Sequence, residues 1–578
     1  MKIGSFKGRI GFIFFLFLLL ALLMVVRLYF LQIVDGEEYA EKADRQYVNI
    51  STNTFDRGGI FFQNKAGNLV SAAGLGSGYI LALNVKGMSS STDYIEKISQ
   101  IMTIDKESLY SKLANGSTYI EIARRVTEDN IKKVKDLDLP GIVIAREKWR
   151  YYPGNSLASR LIGFVAYDDS GEKIEGRYGL EKYYNSTLKR DGGGLYMNTF
   201  AQIFSNLGLG LGDNEDREGD VVTSIDPEVQ VYFDYIINNV NEKWGSKVTG
   251  GIIIDPNTGD IYSMSVAPGF DLNNFKNVKD ISLFSNPLVS DAYEMGSIIK
   301  PLTVAAGLDN GDITANTTYN DKGYLELDGF TIYNFDKKGR GIADMQTVLN
   351  NSLNTGVAFI ADRLGKEKFL EYFQNYGIGT ESGIDLPAEA KGNISNLTTN
   401  LKNSKKIEYA TASFGQGISL TPIMTARALS VLANGGKLVI PHVAKKIEYK
   451  VGITKNISYT DEAKQVLKKE TSEEITRMLI NVVDKALLNG NMKMKNYSIA
   501  AKTGTAQIAR PARDGGGYYS DKYLHSFFGY FPAYNPRFLV FLYTLEPKNV
   551  NYASQTLTEP FFDIAKFLIN YYQIPPDR

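Results

Sequence analysis

The sequence predicts an α+β protein in three parts: a single transmembrane helix, an elongated β-rich segment, and a larger domain in which a mixed sheet is flanked by helices. Three observations carry that prediction. Residues Ile10 to Val26 run without a charge. Between about Asp35 and Lys247 the texture is polar and mixed, with short β-like runs punctuated by turn signals such as Arg57-Gly-Gly59 and Asp191-Gly-Gly-Gly194. From Val248 onward, strand-like runs stand at both ends with helical periodicity between them, which pairs the first and last strands in one sheet. The expected boundaries are 1–9 for a cytoplasmic tail, 10–34 for the membrane helix, 35–247 for the middle segment and 248–578 for the carboxy-terminal domain.

As a helix the uncharged run would span about 25 Å, and Arg9 and Arg27 can snorkel to let it cross a bilayer core. Lys2, Lys7 and Arg9 precede it, so the positive-inside rule leaves the amino terminus in the cytoplasm and the rest outside. No small-residue cleavage pattern comes after it, so the helix is expected to be retained rather than removed as a signal peptide. In the second part, Leu207-Gly-Leu-Gly-Leu-Gly-Asp213 lacks the Lys-Ser/Thr and the leading strand of a phosphate loop and reads as a plain loop. In the third, Gly250 to Ser265 reads as a β-hairpin around Pro256-Asn-Thr-Gly259. Helical periodicity is present at Ile299 to Leu308, Met345 to Leu364 and Thr421 to Asn434. Strands are expected near Tyr497 to Gly504, Ser526 to Ala533 and Arg537 to Thr544, with a last helix from about Pro560 to Tyr572.

Composition narrows the chemistry. The 578 residues, 44 % hydrophobic and 22 % charged, have room for two or three folded domains. Lys plus Arg and Asp plus Glu both number 64, so no global basic field points to nucleic acid. Cysteine is absent, which excludes disulfides, thiolate nucleophiles and thiolate metal sites. The only histidines are His442 and His525, so a His-rich metal centre is excluded and a Ser-His-Asp triad would need one of these two. That scarcity favours a lysine base, and His525 reads as structural.

Ser297 and Lys300, within Tyr293-Glu-Met-Gly-Ser-Ile-Ile-Lys-Pro301, share a face if a helix starts there. A lysine can take a serine proton only if burial or another cation lowers its pKa. The spacing alone is weak: roughly two chance matches are expected in such a chain, and Ser186-Thr-Leu-Lys189 is another. Ser297 is set apart by two motifs that come later in the chain, Ser352-Leu-Asn354 and then Lys502-Thr-Gly-Thr505. The set resembles the active-site motifs of penicillin-binding proteins and serine β-lactamases. Asp255-Pro-Asn-Thr-Gly-Asp-Ile261, Ser413-Phe-Gly-Gln-Gly-Ile-Ser-Leu-Thr-Pro422, Leu432-Ala-Asn-Gly-Gly436 and Ser526-Phe-Phe-Gly-Tyr-Phe-Pro-Ala533 extend the similarity to the transpeptidase domain of class B penicillin-binding proteins. Leu31-Gln-Ile-Val-Asp-Gly-Glu-Glu-Tyr39, Asp56-Arg-Gly-Gly-Ile60, Arg150-Tyr-Tyr-Pro-Gly154 and Gly176-Arg-Tyr-Gly-Leu-Glu181 resemble that family's non-catalytic pedestal, or dimerisation, module. For Arg57, Arg177 and Glu181, plain surface charge at turns stands as an equal alternative. Departures are few: Met295 replaces a usual proline, Ile298 and Ile299 a common Thr-Phe, and Leu353 a frequent serine.

The resemblance implies a peptidoglycan D,D-transpeptidase, of the division or the elongation type, acting outside the cytoplasmic membrane. Ser297 would be the nucleophile and Lys300 its base, with Lys502 lowering the pKa of Lys300. Ser352 would relay a proton to the leaving amine, and Asn354 would hold Lys300 and the substrate amide. Backbone N–H groups of Ser297 and Thr505 would form the oxyanion hole. Lys502, Thr503, Gly504 and Thr505 would bind the substrate carboxylate, while Gln416 and Thr421 would shape the site as loop and cap residues. No cofactor or metal is implied. The implied partners are peptidoglycan stem peptides, β-lactams, a polytopic membrane glycosyltransferase and other wall-synthesis proteins. A carboxypeptidase or β-lactamase on the same scaffold, and a catalytically idle scaffold, are the alternatives.

Overall fold

The computed structural model describes residues 4–29, 55–85, 91–171, 173–190, 218–399, 405–450, 454–511 and 515–578. The expected features at 30–39, Asp191 to Gly194 and Leu207 to Asp213 lie outside these residues. Helix α1 runs Gly4–Tyr29, and its described side chains, at 14–24 and 26–27, are all exposed, Phe14, Phe15 and Phe17 among them. Among the described residues, no helix is long and apolar enough to cross a membrane.

Beyond α1 the described residues pack as two compact units, one built around 76–149 and the other from 57–75, 150–190 and 218–578. In chain order the elements used below begin with strands β1 (Ile60–Gln63) and β2 (Leu69–Asn84). Helices α2 (Ser91–Ser99) and α3 (Lys106–Ala114), strand β3 (Tyr119–Val126), helix α4 (Glu128–Lys135) and strand β4 (Ile142–Tyr151) come after them. In the first unit, residues 79–84 of β2 pair antiparallel with β3. Ile95, Ile98, Leu109, Ile131 and Val134 of the three helices pack on Leu81, Leu83, Ile120 and Ile122 of these strands.

The second unit adds β5 (Gly219–Thr223), α5 (Pro227–Trp244), β6 (Val248–Ile254) and β7 (Ile261–Ala267). Helices α6 (Lys300–Asn310), α7 (Asn354–Asn375) and α8 (Pro422–Ala433) come next, then β8 (Ala444–Tyr449) and α9 (Lys469–Asn481). The last elements are β9 (Ala500–Ala509), β10 (Tyr518–Phe531), β11 (Phe538–Leu545) and α10 (Thr558–Tyr571). Five strands form the central sheet in the order β9-β10-β11-β6-β7. The first and last segments of the domain therefore pair through β6 and β11, as the sequence suggests. Every pairing in this sheet is antiparallel; a parallel pairing joins β1 to β5 in a second sheet, where β5 also pairs with β8.

Strand β11 is buried along its whole length and β10 from Leu524 onward, because helices cover both faces there, so their side chains alternate between two cores. Phe527, Phe531, Val540 and Leu542 pack with Phe233 of α5 and Phe561 and Leu568 of α10. Phe528, Tyr530, Leu539 and Phe541 join the larger core with residues of α6, α8 and α9.

The pedestal-like segments of this unit settle the open alternative for their charges. Arg57 and Glu181 are buried, not surface residues at turns. Arg57 Nε donates to Glu181 Oε2 at 2.6 Å, and Arg150 Nε donates to Glu181 Oε1 at 2.6 Å. Burial pushes the Glu181 carboxyl up, but the Arg150 and Arg57 charges outweigh it and hold its pKa below the usual value. Arg177 does remain partly exposed, pairing with Asp169 and Glu175.

Candidate active site

A 3₁₀ turn at Gly296–Ile299 leads directly into α6, with Pro301 in the first turn, where its missing N–H costs nothing. Ser297 lies in that turn, half-buried, and its hydroxyl makes no hydrogen bond with a described residue. Lys300, one turn on, is 0 % exposed. Burial first, and then the charge of Lys502, hold its pKa well below the ordinary lysine value. Sequence reasoning names both causes, but burial is the larger.

The periodic stretch from Met345 to Leu364 is two helices, broken at Asn351 to Leu353. The break carries Ser352 at φ +52°, a left-handed conformation that costs a non-glycine residue on the order of 1 kcal/mol. Leu353 points into the core at 0 % exposure, which explains why a leucine is tolerated there. The strained turn is anchored by buried Asp321, which accepts from the Thr355 hydroxyl at 2.8 Å and from the Asn334 side chain at 3.0 Å.

Ser352 is where the lysines meet. Lys300 Nζ donates to the Ser352 carbonyl at 2.5 Å and stands 3.2 Å from Ser352 Oγ. From β9, Lys502 Nζ stands 3.1 Å from the same Oγ and donates to the Thr503 carbonyl at 3.2 Å. Lys502 is 4 % exposed, and burial lowers its pKa to about 8. One buried lysine whose pKa is held well down, one lowered to about 8, and a hydroxyl between them make a short path for proton transfer.

Strand β9 also presses against the Ser297 turn. Gly296 has φ +65°, and a Cβ there would lie 3.1 Å from the Thr505 carbonyl group. A Cβ on Gly504 would lie 2.9 Å from Met295 O and 3.0 Å from Ile298 N. The third residue of Lys-Thr-Gly is thus glycine for a steric reason: a side chain there would hold the strand off the Ser297 turn. Ser526, buried on β10, donates to Met295 O at 2.8 Å and ties strand to turn; the sequence offers no signal for that role. Thr503 and Thr505 flank Gly504; Thr505 is half-buried, and its Oγ1 accepts from the Ala553 N–H at 3.1 Å.

Asn354 is placed differently from expectation. Its side-chain amide donates to the Tyr333 carbonyl at 2.8 Å rather than holding Lys300, whose partner is Ser352. Ser186 and Lys189 are exposed, and no hydrogen bond joins their side chains to Ser297, Lys300, Ser352 or Lys502. Thr421 caps α8 by accepting from Met424 N–H at 3.2 Å. His525 is buried against Thr556 Oγ1 at 3.0 Å, and burial lowers its pKa to about 4. His442 lies between Asp260 and the Ile440 carbonyl.

Known proteins resemble this chain in sequence and in fold. The sequence matches the family described as Penicillin binding protein transpeptidase domain over residues 249–566, more than half of the chain, and the Penicillin-binding Protein dimerisation domain over 69–202. It is 28 % identical to Stage V sporulation protein D of Bacillus subtilis, covering 96 % of this chain and 84 % of that protein. It is 26 % identical to the peptidoglycan D,D-transpeptidase FtsI of Buchnera aphidicola, covering 100 % of this chain and 97 % of that one. The fold is similar to crystalline penicillin-binding protein 2X of Streptococcus thermophilus, with a TM-score of 0.72 at 18 % identity, over 90 % of this chain and 81 % of that chain.

Proposed function

The chain belongs to the penicillin-binding protein transpeptidase family, and from that premise we propose that it is a peptidoglycan D,D-transpeptidase acting through a Ser297 acyl-enzyme. The observation that carries this reading is the convergence of two buried lysines on the Ser352 hydroxyl, one of them Lys300, a turn on from Ser297. Lys300, as the free amine, takes the Ser297 proton as Oγ attacks the carbonyl between the two terminal D-alanines of a stem peptide. The proton passes by Ser352 to the departing D-alanine amine. Lys502, still charged, holds the substrate's terminal carboxylate together with the Thr503 and Thr505 hydroxyls. The N–H groups of Ser297 and Thr505 receive the oxyanion, a term worth roughly 10²- to 10³-fold per donor. An amine from a neighbouring stem then displaces Ser297 and leaves a peptide cross-link. A β-lactam carbonyl enters the same first step and leaves the serine acylated.

Helix α1 is the proposed anchor, its exposed apolar side chains facing lipid and its basic amino terminus in the cytoplasm. The segments ahead of 248 serve as the pedestal, and a polytopic membrane glycosyltransferase is the proposed partner. Incubating the full chain with a pentapeptide-bearing wall precursor polymer tests the reaction. Cross-linked dimers with release of D-alanine are expected; trimmed monomers alone would identify a carboxypeptidase instead.

A further inference from the structure

Glu294 stands three residues before Ser297 and has no part in the acylation chemistry above. Its Oε1 accepts from the Gly417 N–H at 3.1 Å and from the Tyr518 hydroxyl at 3.2 Å. Its Oε2 is buried with no hydrogen-bond partner, and among the described residues no cation lies within ion-pair distance of it. Leaving a carboxylate oxygen in that state is costly, so a site that keeps it invites an incoming donor. Burial also raises the carboxyl pKa, which makes it a stronger proton acceptor. Tyr518 pairs with Ala509, four residues past Thr505 on β9, so Glu294 is held on the side of the turn toward which β9 runs beyond the oxyanion hole.

The second half of the reaction needs such a group. The acceptor amine arrives protonated, and an ammonium ion cannot attack an ester. We propose that Glu294 is the acceptor-side base: its free oxygen receives the ammonium of the acceptor and takes the proton this amine must lose. The amine nitrogen then bonds to the acyl carbonyl carbon, the bond from that carbon to Ser297 Oγ breaks, and the second amine proton returns to Oγ through Lys300. The products are an amide, free Ser297 and a protonated Glu294 that releases its proton to solvent. This inference rests on the transpeptidase reading.

The test uses the full chain in detergent, a thioester donor with a D-alanyl-type acyl group, and a D-amino acid amide as the acceptor. In Glu294→Gln the acyl-enzyme is expected still to form, while the ratio of aminolysis to hydrolysis falls by roughly 10²-fold and the KM for the amine rises. Glu294→Asp is expected to recover part of the ratio. An unchanged ratio in Glu294→Gln overturns the proposal, and so does a parallel loss of acylation and aminolysis, which marks a structural residue. If the wild-type chain forms no acyl-enzyme at all, the transpeptidase reading fails first, and that result is separate from either.

Discussion

Gly504→Ala probes how closely β9 must approach the Ser297 turn. A Cβ at this position would stand 2.4 Å from Ser526 Oγ, 2.9 Å from Met295 O and 3.0 Å from Ile298 N, where ordinary contact begins at 3.4 Å. The Ser526 hydroxyl can rotate away, but only by giving up its 2.8 Å bond to Met295 O. The other two atoms are backbone of the Ser297 turn and cannot yield separately. Strand and turn must therefore part by about half an ångström, among close-packed atoms that do not compress. Overpacking of this kind costs about 1–3 kcal/mol of stability. The larger effect is on rate, because a displacement near 1 Å between nucleophile and binding groups lowers it by roughly 10²-fold. The assay is the second-order rate of acylation by a fluorescent penicillin, measured beside the melting temperature. A fall of roughly 10- to 100-fold is expected in a chain that still melts cooperatively. A folded Gly504→Ala protein that acylates at the wild-type rate would refute the steric reasoning.

The pH profile of acylation should fall on its alkaline side with an apparent pKa of about 8 as Lys502, its pKa lowered by burial, loses its charge. Lys502→Arg should move that limb to higher pH; an unmoved limb would assign it elsewhere. Glu181→Ala strands two buried guanidinium groups, so a loss of roughly 3–5 kcal/mol is expected in urea unfolding. Because the Glu181 pKa is depressed, its contribution is complete above the ordinary value of 4.5 and is lost as pH falls through the lower folded value. The stability gap between wild type and Glu181→Ala should therefore hold near neutrality and narrow only below pH 4.5. At Ser352, φ +52° predicts that Ser352→Gly melts higher than Ser352→Ala, by about 1 kcal/mol of relieved strain, although both lose the hydroxyl. Equal stabilities would show that the turn carries no strain.

Much of the catalytic domain is legible in the sequence because its physics is local. The Pro256-Asn-Thr-Gly259 turn announces the β6–β7 hairpin, and apolar runs announce β10 and β11. The motif order singles out Ser297, Lys300, Ser352 and Lys502, and the structure brings Lys300, a turn on from Ser297, and Lys502 together at Ser352. What the sequence does not reveal is set by tertiary contacts. Nothing near Arg57 or Glu181 in sequence shows that they neutralise each other in the interior, since the partners are 124 residues apart. The helix break at Ser352 has no glycine or proline to mark it, because Asp321 and Asn334 hold the turn from a distance. Motif logic assigns Asn354 to Lys300, whereas the carbonyl that holds it belongs to Tyr333, a hairpin residue that no local pattern places beside it.

The most direct test of the catalytic assignment is covalent labelling of the full chain with a fluorescent penicillin, compared with Ser297→Ala and Ser186→Ala. Label on the wild type and on Ser186→Ala, with none on a folded Ser297→Ala, is the expected result. Undiminished label on Ser297→Ala, or none on a folded wild-type chain, would contradict Ser297 as the acylated nucleophile.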